Sequence, residues 1–129
     1  MIGGEADGAA LGELGPMGDL VARDVALPTL AAVLARCRRY YGHDTGISHL
    51  AAAVGIPCIG LHGTTRPEES GAYGEKHQVV QARYQSGTAR ERRKASNDAM
   101  REITAEAVCA ACDSVLEAGT NGHRRSAAA

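Results

Sequence analysis

Between Arg38 and Leu61 the chain reads as strand, turn, helix, turn and strand, and this unit limits the fold more than any other feature. Arg38–Gly42, with Tyr40 and Tyr41, reads as a strand, and Asp44-Thr45-Gly46 as a turn. Ser48–Val54 is a compact Ala-rich helix, ended by Gly55 and then Ile56-Pro57. Cys58–Leu61 is a continuous apolar run, the pattern of a strand covered on both faces. The same alternation extends either way. Ile2-Gly3-Gly4 reads as the end of a strand, residues 5–14 as a short helix, 19–22 as a short strand and 27–37 as a helix. In that helix Pro28 suits the first turn, and Leu27, Leu30, Val33, Leu34 and Cys37 recur at helical spacing. Residues 77–82 predict another strand and 84–101 an irregular polar stretch. Thr104 caps a final helix with Gly119 at its end, and the last ten residues read as a disordered tail. Alternation of this kind specifies an α/β fold with a mostly parallel sheet, whose ligands bind at the carboxyl ends of the strands. The loops to watch therefore follow Ile2, Ala22, Tyr41 and Leu61.

Composition explains how such a sheet is covered. Only 22 of the 129 residues are Leu, Ile or Val, none is Phe or Trp, and 24 are Ala. A net charge of −1 argues against a disordered chain and against a general nucleic-acid binder. The reading is a folded domain with a thin core, in which alanine lets small helices sit close to the sheet. No apolar run approaches the about 18 residues needed to span a bilayer. No secretion signal is expected, because the N-terminus lacks a basic region followed by an apolar one. Of four cysteines, Cys37 and Cys58 stand alone, and the Cys109/Cys112 pair lies in Ala-rich helical sequence without a second ligand pair. Reduced, inert thiols fit this spacing better than a metal or redox role.

The loop after Tyr41 carries the chemistry: Gly42-His43-Asp44-Thr45-Gly46-Ile47-Ser48-His49. A helix that starts at a strand's carboxyl end aims its free N–H groups at the ligand face, where they and the helix dipole suit a phosphate. Asp44 at the strand tip can accept hydrogen bonds from sugar hydroxyls, and Ser48 and His49 in the first turn can reach the same anion. The spacing fits equally an ordinary N-cap, with Asp44 or Thr45 capping the helix and His49 half exposed. The loop Gly63-Thr64-Thr65-Arg66-Pro67 follows the next strand; its glycine permits close approach, and its hydroxyls and Arg66 can meet a polar ligand. It also reads as a plain polar loop. His62 reads as a structural histidine. A metal site at His43, Asp44 and His49 is not expected.

DTGISHLAAAVGIPCIGLHGTTRP, with GAYG at 71–74, resembles the donor-half signature of glycosyltransferase family 9, the ADP-heptose:lipopolysaccharide heptosyltransferases. That signature has Asp-Ser/Thr-Gly, a His three residues on, a small-residue helix, Gly-x-Pro before an apolar strand, a Gly-Pro-Thr-x-Pro loop and a Gly-Tyr-Gly-like turn. LPTLAAVLARCRRYYGHD upstream and NDAMREITAEAV downstream resemble it as well, the latter with Ala99-Met100 where the family often has Cys-Met. The resemblance covers residues 1–118. It implies a partial, Rossmann-like C-terminal half of a two-domain (GT-B) enzyme that transfers heptose from ADP-heptose to the lipopolysaccharide core with inversion and without a metal or other cofactor. Carried over by motif, Asp44 holds the donor sugar, the backbones of Thr45 and Gly46 hold the pyrophosphate with His49 and Ser48 beside them, and Glu5 is a weaker candidate for the ribose hydroxyls. Glu5 reads equally as a surface carboxylate.

Several departures bear on activity. Family members are more than twice this length, so the acceptor domain with its catalytic base, and the first strand of the donor domain, are expected to be missing. The resemblance then implies a donor-binding domain at 1–118, a tail at 119–129, and a chain inactive alone. A cytoplasmic location is expected, with peripheral contact at the inner face of the inner membrane left open; the basic run Arg90, Arg92, Arg93 and Lys94 could meet anionic lipid head groups or a partner, but such a run is more often a solvated loop. A fragment similar to UDP-N-acetylglucosamine 2-epimerase is the alternative enzyme, through TTRPEE at 64–69, although Ile47-Ser48-His49 departs from that family's glycine and acidic residues. A non-catalytic nucleotide-sugar-binding remnant is the third reading.

Overall fold

The protein is described from a computed structural model, which covers residues 1–18, 20–94, 96 and 98–126; the side chains of 89, 93, 94 and 117–126 are outside the description. Strand β1 (Ile2–Gly3) leads through a 3₁₀ turn (Glu5–Asp7) into helix α1 (Gly8–Leu14). Strand β2 (Ala22–Arg23) and helix α2 (Leu27–Leu34) follow. The central unit is β3 (Tyr40–His43), α3 (Gly46–Ala53) and β4 (Cys58–Leu61). Then come α4 (Pro67–Ser70), β5 (Gln78–Val80), α5 (Ala89–Lys94), α6 (Asp98–Arg101) and α7 (Ala105–Ser126).

Every strand pairing among the described residues is parallel. β1 pairs with β2, and β3, β4 and β5 form a second sheet in that order, with Tyr40 opposite Cys58 and Ile59 opposite Gln78. The expected parallel sheet is thus present as two pieces. The strand expected at 19–22 lies later, at Ala22–Arg23, and Asp19 is outside the described residues.

β4 is the central strand of its sheet, and its alternation sets three layers. Cys58 faces Leu30 and Leu34 on α2, Ala51 on α3 and Ile56 in the turn after α3, while Ile59 faces Cys112 and Val115 on α7. A strand covered on both faces has no polar side, which is why Cys-Ile-Gly-Leu is apolar throughout. Ala51 is fully buried against this strand, and a larger side chain there would push α3 off the sheet.

Local signals set the helix ends. Gly55 takes φ +87°; its N–H donates to Ala52 O and the Ile56 N–H to Ala51 O, closing the last turn of α3 and tucking Ile56 into the core. Thr104 Oγ1 accepts from the Ala107 N–H at 3.2 Å, the expected cap of α7. That helix continues past Gly119 to Ser126, because the backbone stays helical through the glycine instead of turning left-handed; residues 127–129 lie outside the described residues. The stretch expected to be irregular at 84–101 contains α5 and α6. α5 starts with a reciprocal cap in which Glu91 Oε2 accepts from the Thr88 N–H at 2.7 Å and Thr88 Oγ1 from the Glu91 N–H at 3.3 Å. No helix among the described residues is long and apolar enough to cross a membrane.

Candidate functional site

The carboxyl ends of β3 and β4 carry the site. In the parallel register His43 lies opposite Leu61, so the residues just beyond them, Asp44 and His62, leave the sheet side by side. The Asp44 carboxylate is 12% exposed and is surrounded by three side chains from three segments. Ser70, the last residue of α4, donates its hydroxyl to Asp44 Oδ2 at 2.6 Å. His62 Nδ1 stands 3.9 Å from the same oxygen, and His49 Nε2 on α3 stands 3.8 Å from Oδ1. Neither imidazole is within hydrogen-bond range. Oδ1 is therefore the oxygen without a hydrogen-bond partner among the described residues.

The two histidines differ. His49 is half exposed, while His62 is only 2% exposed and its Nδ1 shares a 3.0 Å hydrogen bond with Thr65 Oγ1. Burial pushes the His62 pKa down, with Asp44 and then Glu68 pulling it up and His49 pushing it down. Glycine at position 60 makes room for this ring, since a Cβ there would stand 2.8 Å from His62 Nε2. His62 is thus a structural histidine, as its sequence suggested, placed against the key carboxylate. Ser70 was not singled out in the sequence; its signal is its position at the end of a Pro-started helical turn facing Asp44.

The start of α3 is open. Thr45 occupies the N-cap position, but neither it nor Asp44 caps the helix through its side chain. The Thr45 hydroxyl is turned to the Tyr40 phenol, whose pKa burial raises while that contact lowers it. Ser48 N–H donates to Thr45 O, and Ser48 Oγ donates to the same oxygen at 2.6 Å. Ser48 is buried, so its hydroxyl closes the turn and is not presented to a ligand, a correction to the sequence reading. The N–H groups of Gly46 and Ile47 remain as the first-turn donors.

The other sequence candidates are placed differently. Glu5 sits exposed in the 3₁₀ turn after β1, and no hydrogen bond or ion pair joins it to Asp44 among the described residues. The acidic side chain tied into that loop is Asp7, whose Oδ2 accepts from the Gly4 N–H at 2.9 Å. Gly63 is approached closely by Met100 and not by open space. Arg66 stacks over Tyr84 at 5.1 Å and lies 3.8 Å from Glu69, so its cation is engaged within the protein. Arg92 donates to Tyr84 OH and Gly87 O, each at 2.9 Å, and the side chains of Arg93 and Lys94 lie outside the described residues. All four cysteines are free thiols; burial pushes Cys58 up to about 11, which suppresses its reactive thiolate. No group of three or more His, Cys, Asp or Glu gathers to hold a metal among the described residues.

The family model described as "Glycosyltransferase family 9 (heptosyltransferase)" matches residues 10–100. The chain belongs to glycosyltransferase family 9. Within that family it is 46% identical over 50 residues to lipopolysaccharide heptosyltransferase 1 of Pseudomonas aeruginosa, covering 39% of this chain and 14% of the relative. It is 40% identical over 58 residues to lipopolysaccharide heptosyltransferase 1 of Escherichia coli K12, covering 45% and 18%. Two solved structures share the fold. A family 9 glycosyl transferase from Veillonella parvula superposes with TM-score 0.77 at 22% identity, over 89% of this chain and 35% of that one. The ADP-heptose lps heptosyltransferase II of E. coli gives 0.73 at 19% identity, over 92% and 36%. This family 9 chain therefore spans a minor part of the length of these relatives. The family assignment displaces the epimerase-like alternative.

Proposed function

We propose that residues 1–118 are the nucleotide-sugar-binding half of a family 9 glycosyltransferase, with ADP-heptose or a near analogue as donor and the lipopolysaccharide core as acceptor. The observation that carries this reading is the pairing of the half-committed Asp44 carboxylate, Oδ2 held by Ser70 and Oδ1 open, with the uncapped start of α3. A diphosphate at the Gly46 and Ile47 amides would meet aligned N–H groups and the positive end of the helix dipole. Asp44 Oδ1 would then accept from a sugar hydroxyl, and the half-exposed His49 ring would stand beside the anion as a hydrogen-bond donor. The same amides and the helix dipole would stabilise the diphosphate as it leaves. Ser48 supports the turn without touching the donor, and Glu5 takes no part.

Inverting transfer needs a base at the acceptor hydroxyl. The family resemblance places the acceptor and that base on polypeptide outside residues 1–118, and the proposal keeps them there. The isolated chain is therefore expected to bind donor without turning it over. Contact with a membrane surface is left out of the proposal, because Arg92 is already held by Tyr84 and Gly87.

Calorimetry with ADP-heptose, ADP and UDP-N-acetylglucosamine tests the reading. Asp44→Asn should weaken ADP-heptose by about 1.5–3 kcal/mol, roughly ten- to hundred-fold, and leave ADP nearly unchanged. Glu5→Gln should alter neither. Equal losses for ADP and ADP-heptose, tighter binding of the UDP-sugar, or no binding of any of the three would overturn it. Heptose transfer by the isolated chain, abolished in Asp44→Ala, would overturn the expected inactivity.

A further inference from the structure

Residues 71–77 run from the Asp44 site to the start of β5 and have few ties to the rest of the chain. Among the described residues, no backbone group of 72–76 is hydrogen-bonded outside this segment, and no side chain there makes a hydrogen bond or an ion pair. Gly74 takes φ +126°, and Tyr73 is 96% exposed, so packing does not stiffen the tip. Three ties hold the segment. Ser70 donates to Asp44 Oδ2 at its start, Ala72 packs against the Leu30 and Cys58 cluster, and His77 Nδ1 accepts from the Cys58 N–H at 3.1 Å at its end.

In the last tie a side chain takes the place of a strand carbonyl. Pro57 O accepts from Tyr40 on the β3 side, so the next amide, that of Cys58, points to the β5 side. The His62 N–H points the same way and donates to Val80 O at 3.0 Å. β5 starts at Gln78, opposite Ile59, and so begins too late to offer Cys58 a carbonyl. The His77 ring fills that position. A ring nitrogen accepts only without a proton, so this bond needs the neutral ring with its hydrogen on Nε2. A second proton turns Nδ1 into a donor facing a donor, and the bond is lost. Nothing nearby offsets that loss. Cys58 on β4 is a thiol that burial keeps protonated, and Gln78 on β5 is neutral and bonded to Ser114 on α7 at 2.9 Å. Glu75 and Lys76 in the same loop and Asp113 on α7 are exposed, and no carboxylate stands at ion-pair distance from the ring among the described residues.

We propose that His77 is a positioning residue for the Asp44 site and makes its hold on the donor sugar pH-dependent. The neutral ring fastens segment 71–77 to β4 and so keeps the Ser70 hydroxyl on Asp44; the protonated ring lets both go. The proposal rests on the reading of Asp44 as the carboxylate that binds the sugar. The amides at the start of α3 are not part of this segment, so they keep their hold on the diphosphate in either state. Acidification therefore weakens the sugar contact and spares the phosphate contact. His49 and His62 stand at the same carboxylate, so a substitution at position 77 is what separates their effect from that of His77.

The test uses the full chain, His77→Asn and His77→Ala. Asparagine keeps an acceptor at the place of Nδ1 and takes up no proton; alanine keeps neither. In the free protein, amide chemical shifts of Cys58 and Ser70 are followed from about pH 8 to about pH 5, the range of histidine charging. In the parent, Ser70 should show a step that coincides with that of Cys58. His77→Asn should lose the step at both residues, and His77→Ala should sit at the acidic end of it throughout. A Cys58 step without one at Ser70, or a Ser70 step unchanged in His77→Asn, would overturn the proposal. By calorimetry, the preference for ADP-heptose over ADP should fall about two- to tenfold across the same range in the parent, as the loss of one hydrogen bond implies, and stay level in His77→Asn. An equal fall in His77→Asn would assign the effect to His49 or His62 and overturn it as well. If ADP-heptose fails to bind at any pH, the reading of Asp44 falls, and the free-protein titration decides separately whether His77 holds Ser70.

Discussion

Asp44 has one carboxylate oxygen committed and one without a hydrogen-bond partner among the described residues. The Ser70 hydroxyl holds Oδ2 and fixes the plane of the carboxylate, which leaves Oδ1 aimed toward His49 and the start of α3. Its neighbour His62 makes the site's surroundings pH-sensitive. The His62 pKa is lowered in the folded state, so on acidification the unfolded chain takes up the proton first. Stability is then full above about pH 6.5, the ordinary histidine value, and is lost as pH falls below it toward the lowered folded value. Urea midpoints measured from pH 7.5 down to 5 should drop less in His62→Asn than in the parent; equal drops would contradict the assignment. At this scale the sequence was partly legible. Asp44, Thr45, Gly46 and His49 stand in one local pattern at a strand–helix junction, which a reader can see in the sequence. Ser70 and the closeness of His62 come from strand register and from α4 folding back, neither of which local spacing encodes. The Ser48 hydroxyl was misplaced for a related reason: a serine three residues after a turn carbonyl can donate to it as readily as to a ligand.

At the scale of elements, β3, α3 and β4 were the most legible part because propensity, turn chemistry and burial agree there. β4 has the bounds expected from its apolar run, while α3, expected at Ser48–Val54, runs Gly46–Ala53 with Gly55 closing the turn after it. Gly55 at φ +87° is the position an L-residue tolerates poorly. Gly55→Ala should therefore cost about 1–2 kcal/mol, read as a lower urea midpoint with an unchanged m-value. An unchanged midpoint would mean that the closing turn relaxes without loss. α5 was missed although its signal was present, because Thr88-Ala89-Arg90-Glu91 is a capping pattern hidden in a strongly charged stretch. The continuation of α7 past Gly119 was not readable, since a glycine ends a helix only when its backbone turns left-handed.

At the scale of the whole molecule, the core is spread over two faces of one short sheet. One cluster lies with α2 and α3 and the other with α7, which is how a chain with few large apolar residues covers a central strand twice. The separation into two sheets was not legible, because pairing between distant strands leaves no local trace. It has a dynamic consequence. β4 is paired on both sides and buried on both faces, whereas β1 and β2 pair only with each other. Amide exchange in the free chain should be slowest at Ile59 and Leu61 and clearly faster at Gly3 and Ala22, whose N–H groups join β1 to β2. Equal rates would mean that the two sheets open as one unit.

The central claim is that the start of α3 and Asp44 together hold a sugar diphosphate, and amide chemical-shift mapping with ADP-heptose tests it most directly. The account predicts the largest shifts at Gly46 and Ile47, with further shifts near Asp44 that ADP alone does not produce. Shifts centred elsewhere, or identical maps for ADP-heptose in the parent and in Asp44→Asn, would contradict it.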